Sequence, residues 1–389
     1  MLLHINMNLL YLCLGFLLFA LTALDIIKTT FSSNGGGMIT SFVSKGVYKA
    51  FLLAAGKKGK SKLLGYAGPA VLVSILLVWI AGFWAGLFVA LLSDTNSVVH
   101  SVTKTSAGTL EKLYYAGFTL STLGIGDYVA SNDFWRIVTD VAAYSGLVFI
   151  TTSITYFLPV LSAVGLQSTL SLYISGMGKT PQQILIKSWN GKDFSSFFDN
   201  TSDLCQMLMK HTMNHHSYPV IHYFHNSQPK LSITPAIVVL DEACQLLENA
   251  VPKDVAMDEL KMSMLQTTLH AYLEVVKGNF LKNASPNEEA PVPDLRQLEE
   301  TEVPLKDKEA VKQYFEQDLR ERRKLLTVLL EMDGWSWKEV VPTRAVAFCP
   351  AAVFLTLSKG ESERGPFRQV AGCYLSLPPG LFVLFLLPV

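Results

Sequence analysis

Three long stretches in the first half of this chain carry no ionised side chain: residues 5–24, 63–93 and 141–178. A helix needs about 20 predominantly apolar residues to cross a hydrocarbon layer about 30 Å thick, so each stretch has spanning length. Trp79 and Trp84 lie inside the second, and Pro69 marks its first turn, where a missing N–H leaves no bond unmade. The third opens near Phe134, Trp135 and Asp140 and is long enough to run on past the membrane. After residue 165 the pattern changes. "SDLCQMLMKHTM", "TPAIVVLDEACQLLENAV" and "PKDVAMDELKMSMLQTTLHAYLEVVKG" place apolar residues three and four apart, which predicts amphipathic helices of a soluble domain. The expected fold class is an all-α membrane protein with a helical domain appended.

Composition agrees. Half of the 389 residues are apolar and only 16% are charged, too few for an ordinary soluble enzyme of this length. Net charge is zero, so nucleic acid is not an expected partner. The five cysteines, at 13, 205, 244, 349 and 373, show no paired spacing and read as reduced thiols. The opening "MLLHINMN" lacks the basic residues of a signal peptide, so residues 1–27 are expected to remain as a transmembrane helix.

Charge then sets an orientation. Seven lysines and no acid lie between Lys28 and Lys62, and short lysine-rich loops stay on the cytoplasmic side. This predicts a multi-pass protein of the cell membrane with its amino terminus outside and its carboxy-terminal half in the cytoplasm. Residues 28–65 form the basic loop. Within it, "MITSFVSKGVYKAFLLAAGKK" reads either as an interfacial helix on membrane lipid or as a basic linker that only fixes topology.

Between the second and third stretches lies "SAGTLEKLYYAGFTLSTLGIGDYVASNDFW". Its first half is helical in composition, with Ser106 placed to cap and Glu111 in the first turns; its second half breaks at Gly124 and Gly126. The segment is too short and too polar to cross and return as two spans, so it enters and leaves on one side. Non-helical backbone at membrane depth persists only where protein buries it or where it lines a watery path. Glycines at alternate positions let successive carbonyls face one way, and four such strands would stack rings of oxygen around a monovalent cation.

"TLSTLGIGDYV" resembles the selectivity filter of potassium channels, whose usual form is T-V-G-Y-G-D. The resemblance implies a filter of Thr122, Leu123, Gly124, Ile125 and Gly126, with Asp127 at the pore mouth, Tyr114 and Tyr115 supporting the filter from the pore helix, and Gly146, nineteen residues past Asp127, as the gating hinge. It further implies a homotetramer, potassium as the permeant ion, and no cofactor, catalytic group or other metal. Thr152, Ser153 and Thr155 are candidates for polar positions in the inner cavity. Ile125 stands where the family has an aromatic, which leaves a weakly selective cation channel as an alternative. A non-conducting membrane-anchored sensor or scaffold is the alternative of another class. The spans carry no repeated arginines, so voltage sensing is not expected. Gating through an unidentified cytoplasmic ligand is.

The expected division is a pore domain over 66–165, with outer helix 66–92, pore helix 107–121, filter 122–127 and inner helix 134–165. A cytoplasmic helical domain follows over 166–282, then a proline- and acid-rich flexible linker over 283–307, a carboxy-terminal helix over 308–341 carrying four basic residues near 320–324, and an apolar tail over 342–389 without caps or period. "SGMGKT" at 175–180 lacks the first glycine and the preceding strand of a phosphate-binding loop and reads as a hinge. Of five histidines between 211 and 225, His211 and His215 are one helical turn apart, a spacing that suits a metal, but no carboxylate or cysteine stands at a matching motif spacing; they read as packed, with metal or proton sensing as the alternative.

Overall fold

The computed structural model describes residues 2–32, 36–255, 257–280 and 285–341. The tail 342–389 lies outside the described residues. Over the described residues the fold is almost wholly helical, with one two-stranded antiparallel ribbon. Among the described residues, three segments are long and apolar enough to cross a membrane: Asn8–Phe31, Lys62–Leu92 and Asp133–Met177.

The first helix, α1 (Leu2–Phe31), packs along α3 (Ala67–Leu92) at backbone distance. A Cβ on Gly15 would lie 2.3 Å from the Ala90 nitrogen, one on Gly82 2.4 Å from Thr22 Oγ1, and one on Gly86 2.8 Å from the Phe19 nitrogen. Gly82, Gly86 and Ala90 recur every fourth residue. They make the small-residue stripe through which helices gain close van der Waals contact in lipid.

Between these helices runs α2 (Met38–Ala54), whose burial is inverted. Its polar Thr40, Ser44 and Tyr48 face inward, while Met38 and Phe42 are exposed. Asp25, buried on α1, explains the inward face. Its carboxylate accepts from the Ile39 nitrogen at 2.8 Å, the Thr40 nitrogen at 3.2 Å, Thr40 Oγ1 at 2.6 Å and Trp79 Nε1 at 2.9 Å. The N-cap residue Gly37 has no side chain to satisfy the first N–H groups of α2, and Asp25 supplies the oxygens from another helix.

After α3 come β1 (Val98–His100), α4 (Thr109–Leu120) and β2 (Tyr128–Ala130). The helix α5 (Asp133–Met177) then continues for 45 residues, well past the expected end at 165. Its far end, at Leu170 and Ile174, is fully buried in a second core built from α6 (Pro181–Ser188), α7 (Ser195–Asp199), α8 (Thr201–Ser217), α9 (Ile233–Asn249) and α10 (Glu259–Phe280). The stretch read as a hinge is a capped corner: Gly178 lies against α6, and Thr180 Oγ1 accepts from the Gln183 nitrogen at 3.2 Å.

Two expectations are corrected. The stretch expected as a flexible linker is, over its described residues, fastened to the domain: Leu295, Leu298 and Val303 are core residues, and α11 (Arg296–Glu299) forms within it. Its prolines prevent a long helix, but they do not prevent the leucines between them from packing. The single helix expected over 308–341 is instead α12 (Lys308–Gln317), α13 (Arg320–Met332) and α14 (Trp337–Val340), broken between α13 and α14 at Gly334, whose φ is +71°. Two of its three arginines point inward. Arg322 pairs with Asp241, and Arg323 Nε donates to Glu242 Oε1 at 2.8 Å, both acids lying on the fully buried face of α9. Burial pushes the Glu242 carboxyl up to about 6 against the pull of Arg323. Arg323 also donates to the Pro291 carbonyl at 2.6 Å and lies over the Trp337 ring, so it joins the proline-rich stretch before α11 to α9 and α14.

Asp25→Ala strands several buried donors at about 1–3 kcal/mol each, and the protein in detergent should unfold at a clearly lower temperature than wild type, with Thr40→Ala lowering it less. Arg323→Ala leaves Glu242 unpaired and is expected to cost about 3–5 kcal/mol, whereas Arg323→Met with Glu242→Leu should recover most of that loss in the same melting measurement.

Candidate pore loop

Residues 93–132 form a loop built around α4 and closed at its base by the β1–β2 pairing of Val98 with Ala130 and His100 with Tyr128. Ser106, expected as the cap of α4, instead bridges to Val99 and bonds Asn96. The helix begins at Thr109, and Glu111 reaches back to the Gly108 N–H.

Donors from three elements tie the loop together. Lys112, buried on α4, donates to the Leu91 carbonyl at 3.1 Å and the Asp94 carbonyl at 2.6 Å, satisfying acceptors at the end of α3. Trp84 Nε1 of α3 donates to the Leu113 carbonyl at 2.9 Å, and Trp135 Nε1 of α5 donates to Asp94 Oδ2 at 2.8 Å. Of the two expected supporting tyrosines, Tyr115 is buried and its hydroxyl lies 2.8 Å from Thr139 Oγ1 on α5. Tyr114 is part-exposed, 6.4 Å from the Tyr128 ring, with its hydroxyl beside Asp127. Tyr115 therefore braces α4 against α5, and Tyr114 reaches the segment after the glycines.

The break comes before the glycines. The Thr122 nitrogen donates to the Thr119 carbonyl at 3.0 Å and the Leu123 nitrogen to the Phe118 carbonyl at 2.9 Å, the paired closure of a helix whose next residue is left-handed. That residue is Thr122, with φ +58°, where glycine is usual. A β-branched side chain in this region is strained. Gly124 at +57° and Gly126 at +84° repeat the sign, while Leu123 and Ile125 between them do not. Alternating handedness of this kind gathers the N–H groups on one edge of the chain and the carbonyls on the other. Leu123 and Ile125 are exposed, and nothing stands within 4 Å of a Cβ built on either glycine. Asp127 closes the turn: its carbonyl accepts from the Ser101 nitrogen at 2.8 Å, which ties the far end of the segment to β1.

A family model described as ion channel matches residues 74–163, which take in most of α3, the whole loop and α5 as far as Ala163. The chain belongs to an ion-channel family. It is 30% identical over 329 residues to "Uncharacterized membrane protein YdjJ" of Bacillus subtilis strain 168, covering 84% of this chain and 95% of that protein. No solved structure matches. It is thus a membrane protein whose family points to transport and away from enzymatic conversion.

In this ion-channel domain Gly146 sits inside an unbroken helix. A Cβ there would lie 1.9 Å from the Leu120 carbonyl, so the glycine admits the end of α4 against α5. Thr152 and Ser153 are buried in the protomer, whereas Thr155 is exposed and shares a stripe with Thr151, one turn earlier. Sequence reading passed over Thr151. Its signal was the four-residue spacing to Thr155. It also passed over Lys112, whose signal was the lone cation of α4, directly after Glu111 in an otherwise apolar half-span.

Gly146→Ala, a change that ordinarily favours a helix by about 1 kcal/mol, is expected here to lower the melting temperature because the methyl has no room beside Leu120. An unchanged or raised melting temperature would contradict the close approach.

Proposed function

We propose that four copies of this chain form a passive, voltage-insensitive potassium channel of the cell membrane. The observation that carries the reading is the alternation of positive φ at Thr122, Gly124 and Gly126 along an exposed edge between two membrane-length helices. Four such edges around an axis stack the carbonyls of residues 122–126 into rings that replace the hydration shell of a potassium ion, with the Thr122 hydroxyl as a further ring. Closure of the rings requires cyclic symmetry, hence a homotetramer. Asp127 stands at the outer mouth, Tyr114 and Tyr115 hold the pore helix, and potassium is the permeant ligand, with no other metal or cofactor required. The lysine-rich segment 28–62 supports an amino terminus outside and a helical domain in the cytoplasm, where an unidentified ligand acts on gating.

Ile125 favours a second reading. It has no hydroxyl to hold the filter at one diameter, so a weakly selective cation channel fits the same backbone. The purified tetramer in liposomes under a potassium gradient should set a potential close to the potassium equilibrium value, and Gly124→Ala should abolish the flux. A reversal potential indifferent to potassium would sink the selectivity, and a sodium to potassium permeability ratio near one would establish the second reading. A stable oligomer without current would favour the sensor or scaffold.

A further inference from the structure

Three buried imidazoles are left without a task by the channel reading. His211 and His215 lie one turn apart on α8, and His222 lies on the 3-10 turn Pro219–Tyr223 that follows. Their ring centroids stand 5.9 Å apart between His211 and His215 and 5.4 Å apart between His215 and His222. Phe280 of α10 stacks on His222 at 4.0 Å, and Tyr272 lies 5.5 Å from His211. Both ring nitrogens of His211, Nδ1 of His215 and Nε2 of His222 have no hydrogen-bond partner. Packing alone does not call for imidazoles here, because phenylalanine or leucine would fill the space without stranding polar atoms. Among the described residues no group of three or more histidines, cysteines or acids is arranged to hold a metal ion. What distinguishes the three rings is that they titrate.

Their position gives titration a consequence. The segment that carries His222 touches α5, the foot of α3 and the residues after α2. Tyr218 lies 5.7 Å from Tyr156 of α5, the Phe224 carbonyl accepts from Gln167 Nε2 of α5 at 3.1 Å, and the Phe224 ring fills the space left by Gly68 at the foot of α3. His225 Nε2 is 2.6 Å from the Gly59 carbonyl, beside the end of α2.

We propose that His211, His215 and His222 form a proton-sensing joint: neutral, they hold residues 218–225 clamped between the helical domain and the membrane helices, and acidification on the domain's side releases the clamp. The groups facing the cluster are Tyr272 from α10, Tyr223 from the turn itself, and Asp333 from the turn after α13, which Tyr48 of α2 holds at 2.9 Å. Asp333 draws a proton toward His222. A charge on any one of these rings opposes charging its neighbours, so uptake of more than one proton requires the rings to separate.

Burial lowers all three imidazoles, His211 to about 4, and the neighbouring rings lower His211 and His215 further. The clamped state therefore binds fewer protons than the released one. Above a pH of about 6.5 the clamp is unaffected; below it, each ring that becomes exposed favours release about tenfold per pH unit until its clamped-state value is reached.

The bearing on conduction rests on the channel reading, so the experiment reads structure and flux separately. Hydrogen exchange of the full-length protein in detergent, corrected for intrinsic rates, should rise at least tenfold in residues 205–225 between pH 7.5 and 5.5, while the α3–α4 loop stays unchanged. His215→Phe with His222→Phe keeps ring packing and should flatten the response; if that variant does not fold, His222→Gln should reduce it. Potassium flux in liposomes should follow the same pH profile. No rise in wild type, or an equal rise in the variants, overturns the joint. A pH-dependent exchange without any flux supports the joint and overturns the channel reading.

Discussion

The molecule depends on the continuity of α5. Its 45 residues extend roughly 68 Å at 1.5 Å per residue, from Asn132, which caps it, to Gly178, where it turns. At one level Gly146 admits the Leu120 carbonyl to the helix surface, and at another Leu170 and Ile174 are part of the domain core. Pro159 removes one internal bond without ending the helix, because Tyr156 and Val160 on either side are buried against neighbours. The helical domain and the loop are thus joined through one continuous helix.

The loop itself is a strained backbone held by unstrained neighbours. Thr122 occupies a conformation that suits glycine. The loop is tied to its surroundings by Lys112 of its own helix and by Trp84 and Trp135 of the flanking helices, each donating to an acceptor on a different element. Small residues let α1 lie on α3 at backbone distance, and Asp25 fixes α2 to both.

The spans were legible because about twenty uncharged residues have few places to go other than a membrane, and the loop was legible because glycines at alternate positions have a backbone meaning independent of partners. Features that depend on distant partners were not. Arg322 and Arg323 read locally as a basic helix face, yet their acids lie 81 residues earlier on α9. Leu295, Leu298 and Val303 sit among prolines and acids that mask their apolar character, and only the core they enter reveals it. Gly146 matched a family spacing, but its tight contact is with a carbonyl that no spacing rule could point to.

The inverted helix α2 has a consequence for how the protein can be divided. Tyr48 bonds Asp333, a residue the helical domain otherwise satisfies only in part, and the Gly59 backbone meets both His225 and the Gly334 carbonyl. The helical domain therefore has no clean seam: its core includes the end of a membrane helix, and its surface is completed by a loop that lies between two others. Such a domain is not portable. Expressed from residue 166 onward it would lack the groups that cover Asp333 and His225, and swapping it onto another pore would carry over its fold only if the first sixty residues travelled with it.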